Sequence, residues 1–303
     1  MTFNRLASEI SEKCNEAILI SGSARSGTTI LSKILHSFKN VELAYEPPVL
    51  FSLFALLPEL EEKQWRLLYE TFLYEEFFIN ALSGRSINCN RKDDSSVYRV
   101  KNESEIEKRL NQYIRKPDSE ILGQSSWIAY KIPDVVKYLP KLKKLYPKTK
   151  LIIMTRDPVE TFHSLREKAW FSDASLKNKN EIWPNRIIKG FRIPFWVDQK
   201  DERAWVEMDE LHRIAYYYHQ VSHELKELQD YIQINYDDLV NDPYKTITGL
   251  AEKLGLSFGE KTEEILKTVS RTKKDRDPDI LKKLSPEIQS QVQHYAELST
   301  MTT

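Results

Sequence analysis

The chain has 303 residues, and with 41% hydrophobic and 30% charged side chains it can bury a core, which excludes a disordered protein. Its 45 basic and 45 acidic side chains give a net charge of zero, which argues against nucleic acid or another polyanion as its partner. Two cysteines are too few for a disulfide scaffold or a four-thiolate zinc site.

Short apolar runs predict five strands, at 17–21, 41–45, 126–133, 150–155 and 231–236. Helical patterns or helix-start signals lie between them, at 28–38, 49–82, 103–115, 134–146, after Pro158 and at 201–229. Residues 172–200 are predicted to be a long connection, and the chain after 236 to be helical around a basic loop at 270–278. Because strands and helices alternate, the sequence predicts an α/β fold in which a P-loop-type, mostly parallel sheet is flanked by helices.

The sequence shows no repeat, low-complexity tract or linker, so residues 1–303 are expected to form one domain. Insertions at about 49–125 and 168–210 are then expected to wall a pocket. Residues 1–16 hold no apolar run of the length that a signal peptide needs, and no stretch approaches the ~20 apolar residues of a membrane span. We therefore expect a cytoplasmic protein that does not bind a membrane, and its oligomeric state is left open.

The first strand–helix junction, GSARSGTT at 22–29, is predicted to bind phosphate. It holds two of only eight glycines, and glycines let successive N–H groups and the helix N-terminus face an anion. Thr28 stands where the motif G-x-x-x-x-G-K-[ST] has its lysine, so triphosphate hydrolysis loses a main electrostatic part, and Arg25 can supply the charge instead. The candidate binding residues are Arg25, Ser26, Gly27, Thr28 and Thr29.

Residues 21–35, SGSARSGTTILSKIL, resemble the 5′-phosphosulfate loop of sulfotransferases that use 3′-phosphoadenosine 5′-phosphosulfate (PAPS). A second signature of that family is an arginine at a strand end with a serine eight residues later, and LIIMTRDPVETFHSL supplies Arg156 and Ser164. The resemblance implies that both side chains bind the 3′-phosphate of PAPS, that 3′-phosphoadenosine 5′-phosphate (PAP) is the product and that no metal is needed.

Two later segments are similar to parts of the same family. INYDDLVNDP resembles a segment that places a tyrosine near the adenine, which nominates Tyr236. The basic loop resembles a late loop that closes over the phosphates of the donor, and it nominates Arg271 and Lys273, with Lys274 and Arg276 beside them.

Two residues at strand ends are candidates for the chemistry itself. Glu46 follows VELAY and matches the subgroup of the family that uses a glutamate as base, although it could instead cap a helix or pair with a loop cation. In AYKIP, Lys131 stands where the other subgroup has its histidine base. Lys131 and Arg25 are then expected to stabilise charge on the sulfonate and the bridging oxygen, unless Lys131 only extends to solvent.

Two rival functions remain open at this point. One is a P-loop phosphoryl-transfer enzyme resembling a nucleoside kinase, with Asp157 as a magnesium ligand, and the other is a non-catalytic interaction protein with the same fold. His219 and His223 have metal-binding spacing but lack the glutamate of H-E-x-x-H. His163 is the next candidate for the base if Glu46 is not.

A small molecule is the expected acceptor, modified at a hydroxyl or an amine in the manner of a natural-product tailoring enzyme. The aromatic stretch at 65–78 suits a small organic molecule. Acidic excesses at 59–76 and 201–210 favour a cationic acceptor such as a guanidinium alkaloid.

Overall fold

A computed structural model describes residues 7–178, 183–270 and 276–300 of the protein. Its centre is a five-stranded sheet, whose strands pair in the order β2-β3-β1-β4-β7 and are parallel throughout. These strands are β1 Ile18–Gly22, β2 Val41–Tyr45, β3 Trp127–Lys131, β4 Lys150–Thr155 and β7 Tyr231–Asn235. A separate antiparallel hairpin consists of β5 Asn185–Ile188 and β6 Phe191–Pro194. The predicted α/β fold with a mostly parallel sheet is confirmed.

Helices follow most of the strands. They are α1 Ser8–Asn15, α2 Thr28–His36, α3 Pro48–Leu56, α4 Glu62–Glu70, α5 Asn80–Leu82, α6 Glu103–Asn111, α7 Lys116–Gln124, α8 Leu139–Leu145, α9 Pro158–Lys168, α10 Asp173–Leu176, α11 Glu202–Glu207, α12 Glu210–Glu227, α13 Tyr236–Asn241, α14 Pro243–Leu254, α15 Thr262–Thr268 and α16 Pro286–Thr300. A π-helical segment, Thr71–Ile79, joins α4 to α5, and short 3-10 turns lie at Val97–Arg99, Val136–Tyr138, Gln199–Asp201 and Ile280–Lys283. Within the described ranges, none of these helices is long and apolar enough to cross a bilayer.

The sheet is covered on both faces, as expected for parallel strands made of apolar residues. In β1, Ile18 and Ile20 pack with α2 and α14, whereas Leu19 belongs to a second core that includes α3, α4, α9 and α12. All five residues of β1 are buried. Because every strand points the same way, the carboxyl ends of the strands meet at one edge, where ligands bind in open α/β sheets.

Three segments differ from the sequence prediction. Residues 116–124 form a helix, α7, where the sequence predicted no helix. The predicted helix at 201–229 is two helices, because Asp209 caps a new helix by accepting a hydrogen bond from the His212 N–H at 2.8 Å. The connection at 172–200 contains α10 and the hairpin of β5 and β6.

Candidate active site

A cleft of about 790 Å³ opens at the carboxyl edge of the sheet. Its lining brings together residues that are far apart in the chain: Ala24 to Ile30 of the first loop apart from Ser26, Glu46 after β2, Lys131 of β3, Arg156 after β4 and Tyr236 after β7. A wall of aromatic side chains closes the other side. The cleft therefore lies where the parallel sheet predicts a binding site.

The loop between β1 and α2 is tightly folded around its two glycines. Gly22 has a φ of +131°, and a Cβ there would lie 2.3 Å from the carbonyl oxygen of Met154. Gly27 has a φ of +100°, and its Cβ would lie 2.5 Å from the Tyr236 ring. Only glycine fits such a close approach, so the backbone forms a cradle with α2 behind it. A cradle of this kind fits a phosphate group, as the sequence predicted.

Arg25 occupies the centre of this loop in the left-handed conformation, with φ +68°. Its Nε donates to Ser164 Oγ at 3.1 Å, and its guanidinium lies 5.8 Å from the centre of the Trp170 ring. The loop and α9, which were each predicted to bind part of the donor, are thereby joined by a direct contact. Ser26 is buried within the loop, where its hydroxyl donates to the Ser23 carbonyl at 2.6 Å.

Arg156 follows β4 and reaches across the same loop. Its Nη1 donates to the Arg25 carbonyl at 3.0 Å, and its Nη2 to Glu160 at 2.8 Å. The guanidinium lies 4.3 Å above the centre of the Tyr236 ring, and its Nε is buried without a hydrogen-bond partner among the described residues. A buried guanidinium with a donor to spare beside a phosphate cradle fits a second anionic group.

Glu46 and Lys131 meet at the ends of two adjacent strands. Lys131 Nζ forms an ion pair with Glu46 and also donates to Thr29 Oγ1 of the phosphate loop at 3.1 Å. The Glu46 N–H donates to the Lys131 carbonyl at 2.9 Å, and Glu46 has a left-handed φ of +46°. The Lys131 side chain is only 6% exposed, so it does not extend to solvent.

Asp134 is a member of the cleft that the sequence prediction missed. It lies three residues after Lys131 and accepts a hydrogen bond from the Tyr217 hydroxyl of α12, whose oxygen in turn accepts from the Ala24 N–H at 2.5 Å. Burial raises the pKa of the Asp134 carboxyl to about 6; the hydrogen bond from Tyr217 opposes this shift, and the nearby Glu46 adds to it. A tyrosine 83 residues away in the chain gives no local signal, so only the fold identifies this pair.

The other sequence candidates lie elsewhere. Arg271, Lys273 and Lys274 fall outside the described residues, whereas Arg276 pairs with Glu160, the carboxylate that also binds Arg156.

The histidine candidates do not line the cleft. His163 contacts the Asp277 carbonyl at 2.8 Å, and the rings of His219 and His223 stack 6.1 Å apart on α12. Asp157 caps α9 by accepting from the Glu160 N–H at 2.9 Å, which is a structural role. Across residues 7–178, 183–270 and 276–293, no group of three or more His, Cys, Asp or Glu side chains is arranged to hold a metal ion.

The aromatic wall comes from Phe51 and from residues 170–196 rather than from the aromatic stretch at 65–78. Besides Tyr236 on the donor side, six aromatic residues line the cleft, namely Phe51, Trp170, Phe171, Trp183, Phe195 and Trp196. The predicted stretch at 65–78 lies largely in the core instead: Trp65 and Tyr69 are fully buried and stack at 4.7 Å. The acidic segments at 59–76 and 201–210 also lie away from the cleft lining, and Glu70 is a buried partner of Ser11 and Tyr146. Neither acidic segment therefore supports a cationic acceptor.

A parallel α/β sheet with a glycine cradle at one edge, together with Arg25, Lys131, Arg156 and Glu46, is the arrangement expected of an enzyme that transfers an anionic group. The model of the sulfotransferase family matches residues 17–260, so the chain belongs to the sulfotransferase family. That membership supports sulfotransferase activity over the phosphoryl-transfer and non-catalytic alternatives.

Solved sulfotransferase structures resemble the chain at low sequence identity. The sulfotransferase domain from the curacin biosynthetic pathway is 15% identical, with a TM-score of 0.50 and coverage of 95% of this chain and 98% of that one. The sulfotransferase domain of the Synechococcus PCC 7002 olefin synthase is 16% identical, with a TM-score of 0.47 and coverage of 95% of each chain. The Alicyclobacillus acidocaldarius sulfotransferase is 14% identical, with a TM-score of 0.43 and coverage of 93% and 94%. No curated protein matches the sequence.

Proposed function

We propose that this enzyme transfers the sulfonate of PAPS to a hydroxyl or amine of a small aromatic molecule, with Glu46 as the base. The observation that carries the proposal is the convergence of Glu46, Lys131 and Thr29, which come from three separate elements and contact one another at the phosphate loop. A base, a cation and an anion-binding loop are the three parts that sulfonate transfer requires.

The donor site would use both halves of the cradle. Loop residues 25–29 would hold the 5′-phosphosulfate, and Arg156 with Ser164 would hold the 3′-phosphate. The hydrogen bonds of Arg25 to Ser164 and of Arg156 to the Arg25 carbonyl support these two adjacent binding sites, because they join the loop to the residues that would hold the 3′-phosphate. Tyr236, whose ring lies beneath Arg156, would lie near the adenine. A role for Arg271 and Lys273 in closing over the donor stays a prediction.

In the proposed reaction the acceptor oxygen or nitrogen bonds to sulfur while the bond from sulfur to the 5′-phosphate oxygen breaks. The acceptor proton passes to the Glu46 carboxylate, and PAP leaves with the negative charge of the broken bond. Lys131 and Arg25 would stabilise that charge. Because Lys131 pairs with Glu46 here, an anionic donor would compete for the ammonium and leave the carboxylate able to accept the proton.

The aromatic wall supports a planar aromatic acceptor. Phe51 contacts Trp183 edge to face, with ring centres 4.3 Å apart, and the two rings present apolar surface to the cleft. The acidic groups of the cleft have partners of their own, since Asp94 pairs with Lys33 at 3.3 Å and Asp134 accepts from Tyr217. We therefore propose phenols or aryl amines as acceptors.

Two measurements test this function. Calorimetry should show that PAP binds far more tightly than 5′-AMP, because the 3′-phosphate has charge-assisted partners worth ~1.5–3 kcal/mol. Incubation with PAPS and a library of phenols, amines and alkaloids should give sulfonated products by mass spectrometry. Equal affinities for PAP and 5′-AMP, or ATP binding that needs magnesium, would contradict the proposal. Sulfonate transfer to alkaloids alone would favour the hypothesis of a cationic acceptor over phenols and aryl amines.

A further inference from the structure

Helix α12 carries three consecutive tyrosines, and two of them reach the loops of the donor site. The Tyr217 hydroxyl accepts from the Ala24 N–H at 2.5 Å and donates to Asp134, so it joins the loop after β1 to the chain after β3. The Tyr218 hydroxyl donates to the Arg156 carbonyl at 3.2 Å, in the loop after β4. Tyr216 reaches elsewhere and donates to Asp201 at 2.9 Å.

The chemistry of Asp134 fixes the direction of the Tyr217 hydroxyl. An ionised carboxylate can only accept hydrogen bonds, so the single hydroxyl proton of Tyr217 must point toward Asp134. The oxygen lone pairs of Tyr217 are then left for the Ala24 N–H. The Tyr217 ring is 1% exposed and packs between Trp196 at 4.9 Å and Phe171 at 5.4 Å, so the hydroxyl cannot move away.

Ala24 is bonded through its peptide to Arg25, which has a left-handed φ of +68°. Such a conformation is unfavourable for a residue with a side chain, and it persists only where surrounding contacts hold it. The hydrogen bond from Ala24 to Tyr217 is one such contact, immediately before the strained residue.

We propose that Asp134 and Tyr217 are positioning residues, which hold the Ser23–Ala24 peptide and thereby place the next residue, Arg25, at the 5′-phosphosulfate. The inference rests on the proposed function, because it assigns these residues to the donor half of the same site. It also gives α12 a role in the reaction through contacts behind the cleft.

The arrangement predicts a dependence on pH. A protonated Asp134 can donate to the Tyr217 oxygen and compete with Ala24, so the hydroxyl is directed only while the carboxyl is ionised. The charged groups around Asp134 are Glu46 from the end of β2, Lys131 from β3, and Lys137, which is itself paired with Asp198 at 2.9 Å. With a pKa raised by burial to about 6, Asp134 loses its charge just below neutral pH.

Calorimetric titration with PAP and with adenosine 3′-monophosphate, at about pH 7.5, tests the proposal on the full chain. Tyr217→Phe should weaken PAP binding at least about tenfold, because it removes the hydroxyl that links the Ala24 N–H to the Asp134 carboxylate. Its affinity for adenosine 3′-monophosphate, which lacks the 5′-phosphate, should stay within about twofold. Tyr216→Phe is the matched control, since it removes a hydrogen-bonded hydroxyl from the same helix, and it should bind both ligands like the parent.

A second pair of variants separates the hydrogen bond from other effects. Asp134→Asn keeps an acceptor for Tyr217 and tolerates a left-handed φ, so it should bind PAP within about threefold of the parent, whereas Asp134→Ala should lose about tenfold. The ratio of parent to Asp134→Asn affinity should also approach one below about pH 6, because the protonated carboxyl of the parent then resembles the asparagine amide, which carries both an acceptor and a donor. Should Tyr217→Phe fail to fold, this pair alone decides the question.

Three outcomes would overturn the inference. They are PAP binding by Tyr217→Phe within about twofold of the parent, an equal loss in Tyr216→Phe, or an equal loss in Asp134→Asn and Asp134→Ala. A parent protein that binds PAP no better than 5′-AMP would instead overturn the proposed function, so the two failures are distinguishable.

Discussion

The two sides of the cleft are built in different ways. On the donor side, each candidate residue follows a strand of one parallel sheet, and the strand register sets the distances between them, as with Lys131 of β3 beside Glu46 after β2. On the acceptor side, the walls come from α3 and from the chain between 170 and 196. Neither segment belongs to the central five-stranded sheet. The donor side is therefore specified by local sequence, and the acceptor side by packing between distant segments.

This difference leads to separable expectations. Changes on the donor side should alter turnover or phosphate selectivity for every acceptor. Changes on the acceptor side should alter the choice of acceptor and leave the donor untouched.

Glu46→Gln should lower turnover at least about a hundredfold, because a general base contributes ~10²–10⁴-fold and glutamine keeps the shape without accepting the proton. PAP binding should stay near that of the parent. Turnover is measured at saturating PAPS, with Glu59→Gln, an exposed acid, as the control. Near-parental turnover would show that another group is the base, and His163 would be the next to replace.

Arg156→Ala should reduce the preference for PAP over 5′-AMP about tenfold or more, since the charge-assisted contact to the 3′-phosphate is lost. Calorimetry with both nucleotides measures that ratio. Arg166→Ala removes an exposed arginine from the following helix and should leave the ratio unchanged. If Arg156→Ala keeps the parental ratio of PAP to 5′-AMP affinity, the 3′-phosphate does not bind at Arg156.

Trp183→Ala should raise KM for an aromatic acceptor about tenfold, because it removes apolar surface and the edge-to-face contact with Phe51. KM for PAPS should not change. Tyr113→Ala, at a residue that is 85% exposed, controls for the loss of an aromatic side chain. A parallel rise in both KM values would mean that the two sides of the cleft are not independent.

Asp134→Asn should stabilise the protein at about pH 8 by ~1–3 kcal/mol, and the gain should shrink toward about pH 5. Burial raises the pKa of this carboxyl from 3.8 to about 6, so the folded protein binds the proton more tightly than the unfolded chain does. The parent therefore loses stability as the pH rises through about 6, and asparagine cannot ionise. Urea unfolding across this pH range measures the difference in free energy of unfolding between Asp134→Asn and the parent. A stabilisation that grows as the pH falls would contradict a raised pKa of Asp134 as its cause.

The sequence predicted the sheet well and the insertions poorly. The strands at 41–45 and 150–155 lie where they were predicted, because buried parallel strands are rich in apolar residues. Helix α7 was missed because its polar sequence is stabilised by packing, with Gly123 against the Phe78 ring. The hairpin of β5 and β6 did carry a sequence signal in Gly190, because its turn at Lys189 and Gly190 needs positive φ at both residues.

The residues of the donor site were predicted from the sequence, whereas those of the aromatic wall were not. Arg25, Glu46, Lys131, Arg156 and Ser164 each follow a recognisable strand or helix start, and the structure brings them to one cleft or into direct contact with it. The aromatic wall was misplaced because composition cannot distinguish a buried ring from a pocket ring. Trp65 and Trp183 differ only in what the fold packs against them.

Three residues of the cleft, Arg25, Glu46 and Asp134, have left-handed backbone conformations, at φ +68°, +46° and +67°. Glycine would relieve that strain, yet it would also delete the side chains on which the proposed chemistry depends. Engineering for thermal stability must therefore look elsewhere. Ala169 and Lys189 have the same conformation, at φ +52° and +50°, outside the cleft lining. Glycine at those two positions offers a gain in stability that costs the active site nothing.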